Sequence, residues 1–244
     1  MRELTSDRLD SVLKAGPRAA FDAPVIAFFD ALSTAVMRHP AAKPYPDLAT
    51  YGFFIRPRNL KQLQQRYVQD ILIGKGQAFH IGPANVALNF AYSLTASLLA
   101  GNPTVVRVSS RDFVQADILI TLIDNALASS GIPDMLAIVQ YDHGSEYNRI
   151  LSEACDVRVI WGGDETIARL RDFPIKPHAS ELHFANRYSA LVIDADHYLA
   201  ACDPDEVARK VFNDVYPSDQ NACTAPKLVF WLGNQSEIET AKPL

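Results

Sequence analysis

From Gln77 to Leu232 the chain alternates short apolar runs with amphipathic stretches, and this alternation limits the fold more than any other feature. The runs cover residues 78–81, 104–108, 136–141, 157–161, 190–193 and 228–232 and are rich in Val and Ile. Helical spacing fills most of the gaps, over 86–100, 111–129, 145–153, 164–171 and 204–214. Strands that alternate with helices build βαβ units and hence a parallel sheet, an α/β fold. Such sheets take their ligands beyond the carboxyl ends of the strands, so the loops after those strands are where chemistry is sought.

Ahead of the sheet lies an arm with helical spacing over 4–14, 23–38 and 59–70. In the second of these, Val25, Ile26, Phe28, Phe29, Leu32 and Val36 follow the i, i+3, i+4, i+7 pattern, and Pro40 follows its end. A Pro-rich link over 40–46 joins it to the third. The arm shows no chemistry and reads as packing material.

Composition excludes several classes. The chain has 244 residues, 48% of them hydrophobic, which suffices for a sizeable core and argues against disorder. A net charge of −5 without a basic run argues against nucleic acid as the main partner. Cys155, Cys202 and Cys223 form neither a disulfide framework nor a metal-ligand spacing, so they read as thiols in a reducing cytoplasm, with no metal expected. Met1-Arg2-Glu3-Leu4 shows no apolar core or cleavage pattern, so no signal peptide is expected. Residues 86–100 are too short and too rich in Asn, Ser and Thr to span a bilayer.

Five stretches carry candidate chemistry. In Asp219-Gln220-Asn221-Ala222-Cys223-Thr224-Ala225-Pro226, one cysteine sits in a polar turn before a strand. Backbone N–H groups there can stabilise a thiolate and an oxyanion, which makes Cys223 a candidate nucleophile, although a small thiol ahead of a strand is the commoner case. Asn85, in His80-Ile81-Gly82-Pro83-Ala84-Asn85, is a helix N-cap or a catalytic amide. Arg107 ends a run and is followed by Ser109 and Ser110, which suits a phosphate ester, or else an exposed arginine and a serine cap. Gly162 and Gly163, with Thr166 in the helix behind them, make a turn that lets a ligand approach, or simply a tight turn with acidic residues at the helix start. Glu181 is a general base or solvated surface, and His183 a base or a structural histidine.

Together these stretches resemble the aldehyde dehydrogenase superfamily, and within it the acyl-CoA reductase family of bacterial luminescence, the LuxC type. The matching text runs collinearly from about residue 75 to 232. It comprises His80 to Val86, Leu98 to Asn102, Arg107 to Ser110, Cys155 to Arg158, Trp161 to Ile167, Asn213 to Tyr216, and Asp219 to Cys223. The resemblance implies a Rossmann-like parallel sheet with an N-terminal helical arm and a truncated catalytic domain. It implies an arm over 1–72, a nucleotide-binding domain over 73–221 and the start of a catalytic domain over 222–244.

By resemblance, Cys223 is the nucleophile, and Asn85 with the cysteine's own N–H forms the oxyanion hole. Glu181 matches the position of a water-activating base, a role that a reductase does not need. Arg107, Ser109 and Ser110 lie where the adenosine ribose is gripped, which favours NADPH, and Gly162, Gly163 and Thr166 take the rest of the cofactor. The implied reaction is reduction of a long-chain acyl thioester, acyl-CoA or acyl-protein, to an aldehyde. An aldehyde-oxidising dehydrogenase and a non-catalytic NAD(P)-binding fragment are the alternatives. An acyl-transferase or acyl-protein synthetase partner and a homo-oligomer also fit the resemblance. Family members carry a long further segment after the cysteine, so a chain ending at Leu244 reads as a fragment or a truncation.

Overall fold

The computed structural model describes residues 1–67, 70–201, 203–216 and 220–243. Residues 68–69 of the expected third helix, the thiol of Cys202 and Asp219 of the cysteine motif lie outside the described residues. The chain forms two compact units, Met1–Ala185 and Asn186–Leu244.

The first unit is built on a six-stranded sheet. Its strands are β1 (Arg2–Glu3), β2 (Ala78–Ile81), β3 (Thr104–Val108), β4 (Leu136–Gln140), β5 (Val157–Trp161) and β6 (Ser180–Phe184). They lie side by side in the order β1-β4-β3-β2-β5-β6. The pairs β4–β3, β3–β2, β2–β5 and β5–β6 are parallel, and β1 joins β4 antiparallel.

Every residue of β2 and β3 is buried. That is the signature of strands covered on both faces, which need apolar side chains pointing both ways. On one face lie α2 (Ala23–Arg38), α3 (Pro46–Phe54), α4 (Pro57–Tyr67), α5 (Asn89–Leu99) and α6 (Val114–Ala128). Their core joins Phe28, Leu32, Tyr51 and Leu60 to Leu94, Leu98, Val106, Leu119 and Ile138. On the other face α1 (Leu9–Val12), α7 (Tyr147–Ala154) and α8 (Asp164–Arg171) pack with Phe79, Ile81, Val105, Val139 and Ile160.

Three expectations need correction. The boundary at 72/73 does not exist, because the arm helices share one continuous core with α5, α6 and the sheet. The expected helix over 4–14 shrinks to the four residues of α1, since Leu4 donates its N–H to Ile138 and Thr5 Oγ1 accepts from the Ile138 N–H beside β4. The link over 40–46 runs into an unforeseen helix, α3, which starts on Pro46 and buries Leu48 and Tyr51.

The second unit pairs β7 (Ser189–Asp194) with β8 (Pro226–Leu232) in parallel, with α9 (Ala195–Ala201), α10 (Pro204–Val215) and α11 (Gln235–Ala241). Asp203 caps α10, and Asn234 with Glu237 forms a capping box on α11. Ala195, Tyr198 and Ala241 form its small core. Leu228, Val229, Phe230 and Leu232 are all exposed, while Trp231 packs edge-on against Tyr198. A division at 221/222 is also displaced, because β8 takes β7 as its partner and the cysteine turn falls inside this unit.

Candidate functional site

From β2 the chain winds to β3 and then β4 in one direction, whereas β5 and β6 lie on the other side of β2. The strand order reverses between β2 and β5. In an open α/β sheet the crevice outside the carboxyl ends at such a point receives the ligand. Two of the candidate loops start there.

The β2 loop begins at Gly82, whose N–H donates to the Arg107 carbonyl at 2.8 Å. A Cβ at 82 would lie 3.2 Å from that same oxygen, so glycine lets the loop hug β3. Beyond it Asn85 is exposed. The helix that follows starts at Asn89 with Leu88 as its N-cap, so Asn85 is not the cap of α5. The β5 loop is the Gly162-Gly163 turn. Gly163 holds the N-cap position of α8 in extended backbone, and no side chain covers the first N–H groups of that helix from there. A Cβ at Gly162 would press to 3.2 Å from Thr166, which gives this glycine a packing reason too. Asp164 and Glu165 occupy the first turn of α8 and are exposed.

Arg107 is not the exposed clamp that the sequence suggests. It is 2% exposed, Nη2 donates to the Tyr141 carbonyl at 3.1 Å, and the guanidinium lies over the Tyr141 ring at 5.7 Å. Burial lowers its pKa, against the pull of Tyr141 and Asp142. The Tyr141 hydroxyl beside it is buried without a partner, and burial pushes its pKa up. Ser109 is half-buried and accepts from the Arg111 N–H at 3.0 Å, while Ser110 and Arg111 are exposed. Arg111 is therefore the open cation of this loop, one that the strand-end pattern did not single out.

Glu181 has a different employment from the expected one. It sits in β6, opposite Arg158 of β5, and its Oε2 accepts from Arg158 Nε at 2.7 Å and from Arg158 Nη2. Its Oε1 accepts from Arg171 Nε at 3.0 Å. Both carboxylate oxygens are thus taken up by guanidinium groups, in charge-assisted pairs that hold the side chain against β5 and α8. His183, next but one along β6, is exposed.

Two further groups were not visible as a pair in the sequence. Trp161 and Phe184 end β5 and β6 and stack at 3.8 Å between centroids, with planes 10° apart. Trp161 Nε1 donates to Ser93 Oγ at 3.1 Å, and Ser93 Oγ lies 2.7 Å from His80 Nδ1. His80 is 4% exposed, its Nε2 has no partner, and burial lowers its pKa to about 4, so it is neutral near pH 7.

Cys223 lies in the second unit. The Ala225 N–H donates to the Ala222 carbonyl at 3.0 Å, which makes a β-turn with Cys223 and Thr224 at its centre. The thiol is exposed, and the Cys223 carbonyl accepts from Ser189 Oγ at 2.8 Å, which ties the turn to the start of β7. Cys155 is the opposite case: it is buried, with its pKa pushed up to about 11 by burial, and it carries no reactive thiolate near pH 7.

No described helix is long and apolar enough to cross a membrane. A family model described as acyl-CoA reductase (LuxC) matches residues 56–242. The chain is 28% identical over 163 residues to a long-chain acyl-protein thioester reductase of Aliivibrio fischeri, covering 66% of this chain and 33% of that one. It is 27% identical over 169 residues to the enzyme of the same description from Vibrio harveyi, covering 67% and 33%. The chain thus spans about a third of the length of the curated relatives it matches. Among solved structures, an NAD⁺ complex of an aldehyde dehydrogenase from Bacillus cereus superposes with a TM-score of 0.69 at 15% identity, over 96% of this chain and 53% of that one. A 1-pyrroline-5-carboxylate dehydrogenase of Thermus thermophilus gives 0.66 at 15% identity, over 98% and 53%. These likenesses establish the fold, a parallel α/β sheet of the aldehyde dehydrogenase kind.

Proposed function

Since the chain belongs to the acyl-CoA reductase (LuxC) family, we propose that it carries the nucleotide site and the nucleophile of a reductase that turns a long-chain acyl thioester into an aldehyde. The observation behind this reading is the family match over residues 56–242, which contains both the β2–β5 crevice and the exposed Cys223 turn. The relatives' description, long-chain acyl-protein thioester reductase, supports an acyl group carried on coenzyme A or on a protein.

The Cys223 thiolate attacks the thioester carbonyl, a C–S bond forms, and the carbonyl electron pair moves to oxygen. The side-chain amide of Asn85 and the backbone N–H of Cys223 donate to that oxyanion. Collapse expels the carrier thiolate and leaves an acyl-Cys223 thioester. One thioester is exchanged for another, so no phosphoryl activation is required. When bound, NADPH supplies the hydride that reduces this carbonyl. The same two donors hold the second oxyanion, and loss of the Cys223 thiolate releases the aldehyde.

The residues at the sheet edge fit a dinucleotide. The turn at 162–163 presents no side chain beyond hydrogen, and α8 starts directly behind it, which suits a diphosphate. Asp164 and Glu165 oppose that charge from the first turn of the helix. We assign the adenosine ribose to the loop after β3, where Ser109, Ser110 and the exposed Arg111 follow the buried Arg107. A cation there favours a 2′-phosphate, hence NADPH over NADH. Glu181 is engaged by Arg158 and Arg171, and this supports the reductase over an aldehyde-oxidising enzyme, which needs a carboxylate open to water.

The test is to incubate the chain with NADPH and a long-chain acyl-CoA, then assay for fatty aldehyde and free coenzyme A in equal amounts. Carboxylic acid in place of aldehyde would contradict the reading.

A further inference from the structure

Between α4 and β2 the chain exposes three large apolar side chains in a row. Ile71 is 90% exposed, Leu72 48% and Ile73 67%, and Tyr67 at the end of α4 is 62% exposed. A contiguous apolar run turned to water marks a surface that meets a protein or a membrane. Its backbone is pinned rather than frayed. The Ala20 N–H donates to the Leu72 carbonyl at 2.8 Å, and the Gly74 N–H donates to the Arg18 carbonyl at 2.9 Å. Beside the run lies a groove of about 580 Å³, lined by Phe21, Phe54, Leu63, Leu72 and Tyr92 with Lys75 on its wall. That volume is in the range of sites that take small molecules. Lys75 and Asn102 of the lining precede β2 and β3, so the groove opens at the amino ends of the strands, opposite the β2–β5 crevice.

Charge is segregated around this face. Residues 56–75 carry five cations, Arg56, Arg58, Lys61, Arg66 and Lys75, against one carboxylate, Asp70, in a chain whose net charge is −5. None of the five forms an ion pair among the described residues, whereas Arg8, Arg18, Arg149, Arg158 and Arg171 all do. Arg66 lies over the Tyr67 ring at 5.4 Å, and Lys75 Nζ donates to the neutral Ser180 Oγ. Cations without counter-charges, set around an apolar run and an apolar groove, complement an anionic amphiphile.

We propose that this face docks on an anionic phospholipid surface. Ile71, Leu72 and Ile73 enter the acyl boundary, the groove takes one acyl chain, and Arg66 and Lys75 meet the phosphates. The exposure of Ile71 favours lipid over an acidic protein, because a fluid bilayer receives a protruding side chain without a matching pocket. Under the reductase reading this is also where a long-chain aldehyde partitions. Vesicle binding needs neither acyl-CoA nor NADPH, so either reading can fail without the other.

The test is co-flotation of the chain with vesicles of phosphatidylglycerol and phosphatidylcholine in equal parts, against vesicles of phosphatidylcholine alone. The chain should float with the anionic vesicles, and added salt should release it. Arg66→Gln with Lys75→Gln should weaken binding by about fivefold per cation lost. Ile71→Ser with Ile73→Ser should weaken it by about tenfold or more, and both pairs are exposed, so the fold survives either change. Absence of binding to the anionic vesicles overturns the proposal, as does equal binding to both kinds or binding that neither double variant weakens. A dimer that Ile71→Ser with Ile73→Ser dissociates gives the face to a second copy and also overturns it. Binding of free myristate without binding of vesicles assigns the groove to a monomeric fatty acid, with the same consequence.

Discussion

Glu181 faces Arg158 across β6 and β5, and its carboxylate bridges that buried guanidinium to Arg171. Arg158 is 2% exposed and also donates from Nη1 to the carbonyls of Leu170 and Phe173, so the pair fastens the end of α8 to the sheet edge. Removal of one partner leaves a buried charge uncompensated. Glu181→Gln should therefore lower stability by about 3 kcal/mol in urea unfolding. It should leave Cys223 acylation intact once the protein is folded. A large loss of acylation at unchanged stability would restore Glu181 to the chemistry.

As the proposed oxyanion donor, Asn85 should separate catalysis from folding in the opposite sense. It is exposed and does not cap α5, so Asn85→Ala removes no helix cap and leaves a folded chain on which the rate can be read. The acylation rate should fall by about 10²–10³, the usual effect of one lost oxyanion donor. Stopped-flow release of coenzyme A thiol measures the rate, and urea unfolding measures the stability.

His80 gives a pH dependence with a definite sign. Its folded pKa is about 4 against an ordinary value of 6.5, so between those limits the unfolded chain binds a proton that the folded chain refuses. Its contribution to stability is complete above pH 6.5 and is lost as the pH falls toward 4, by about 2–3 kcal/mol in all. His80→Gln should flatten that part of the profile. Unfolding at pH 7.5 and 4.5, in both proteins, isolates the difference from other titrating groups.

The two described thiols should differ in reactivity. Burial and a pKa of about 11 protect Cys155, whereas Cys223 is exposed on its turn. Iodoacetamide near neutral pH, followed by peptide mapping, should find Cys223 alkylated while Cys155 remains free.

Much of the sheet was legible in the sequence because its strands are buried on both faces, and Val and Ile runs such as Thr104–Val108 cannot serve elsewhere. The polar edge was not. Ser180–Phe184 alternates Glu181 and His183 with Leu182 and Phe184, the period of a half-covered strand, yet its polar half kept it out of the expected strands. Asn85 looked like a cap because Asn commonly caps, but three residues, Val86 to Leu88, separate it from Asn89. Arg107 looked exposed because arginine usually is, and the register that drives it onto the face of Val105 and Tyr141 appears only when β3 and β4 pair. The Trp161–Phe184 stack likewise needed the pairing of two strands twenty-three residues apart, and no local pattern encodes it.

The most direct test of the account is intact-mass measurement after incubation with a long-chain acyl-CoA and no NADPH. One added acyl group is expected, absent in Cys223→Ser and retained in Cys155→Ser. No adduct on the folded, nucleotide-binding chain, or an adduct that survives Cys223→Ser, would contradict Cys223 as the nucleophile.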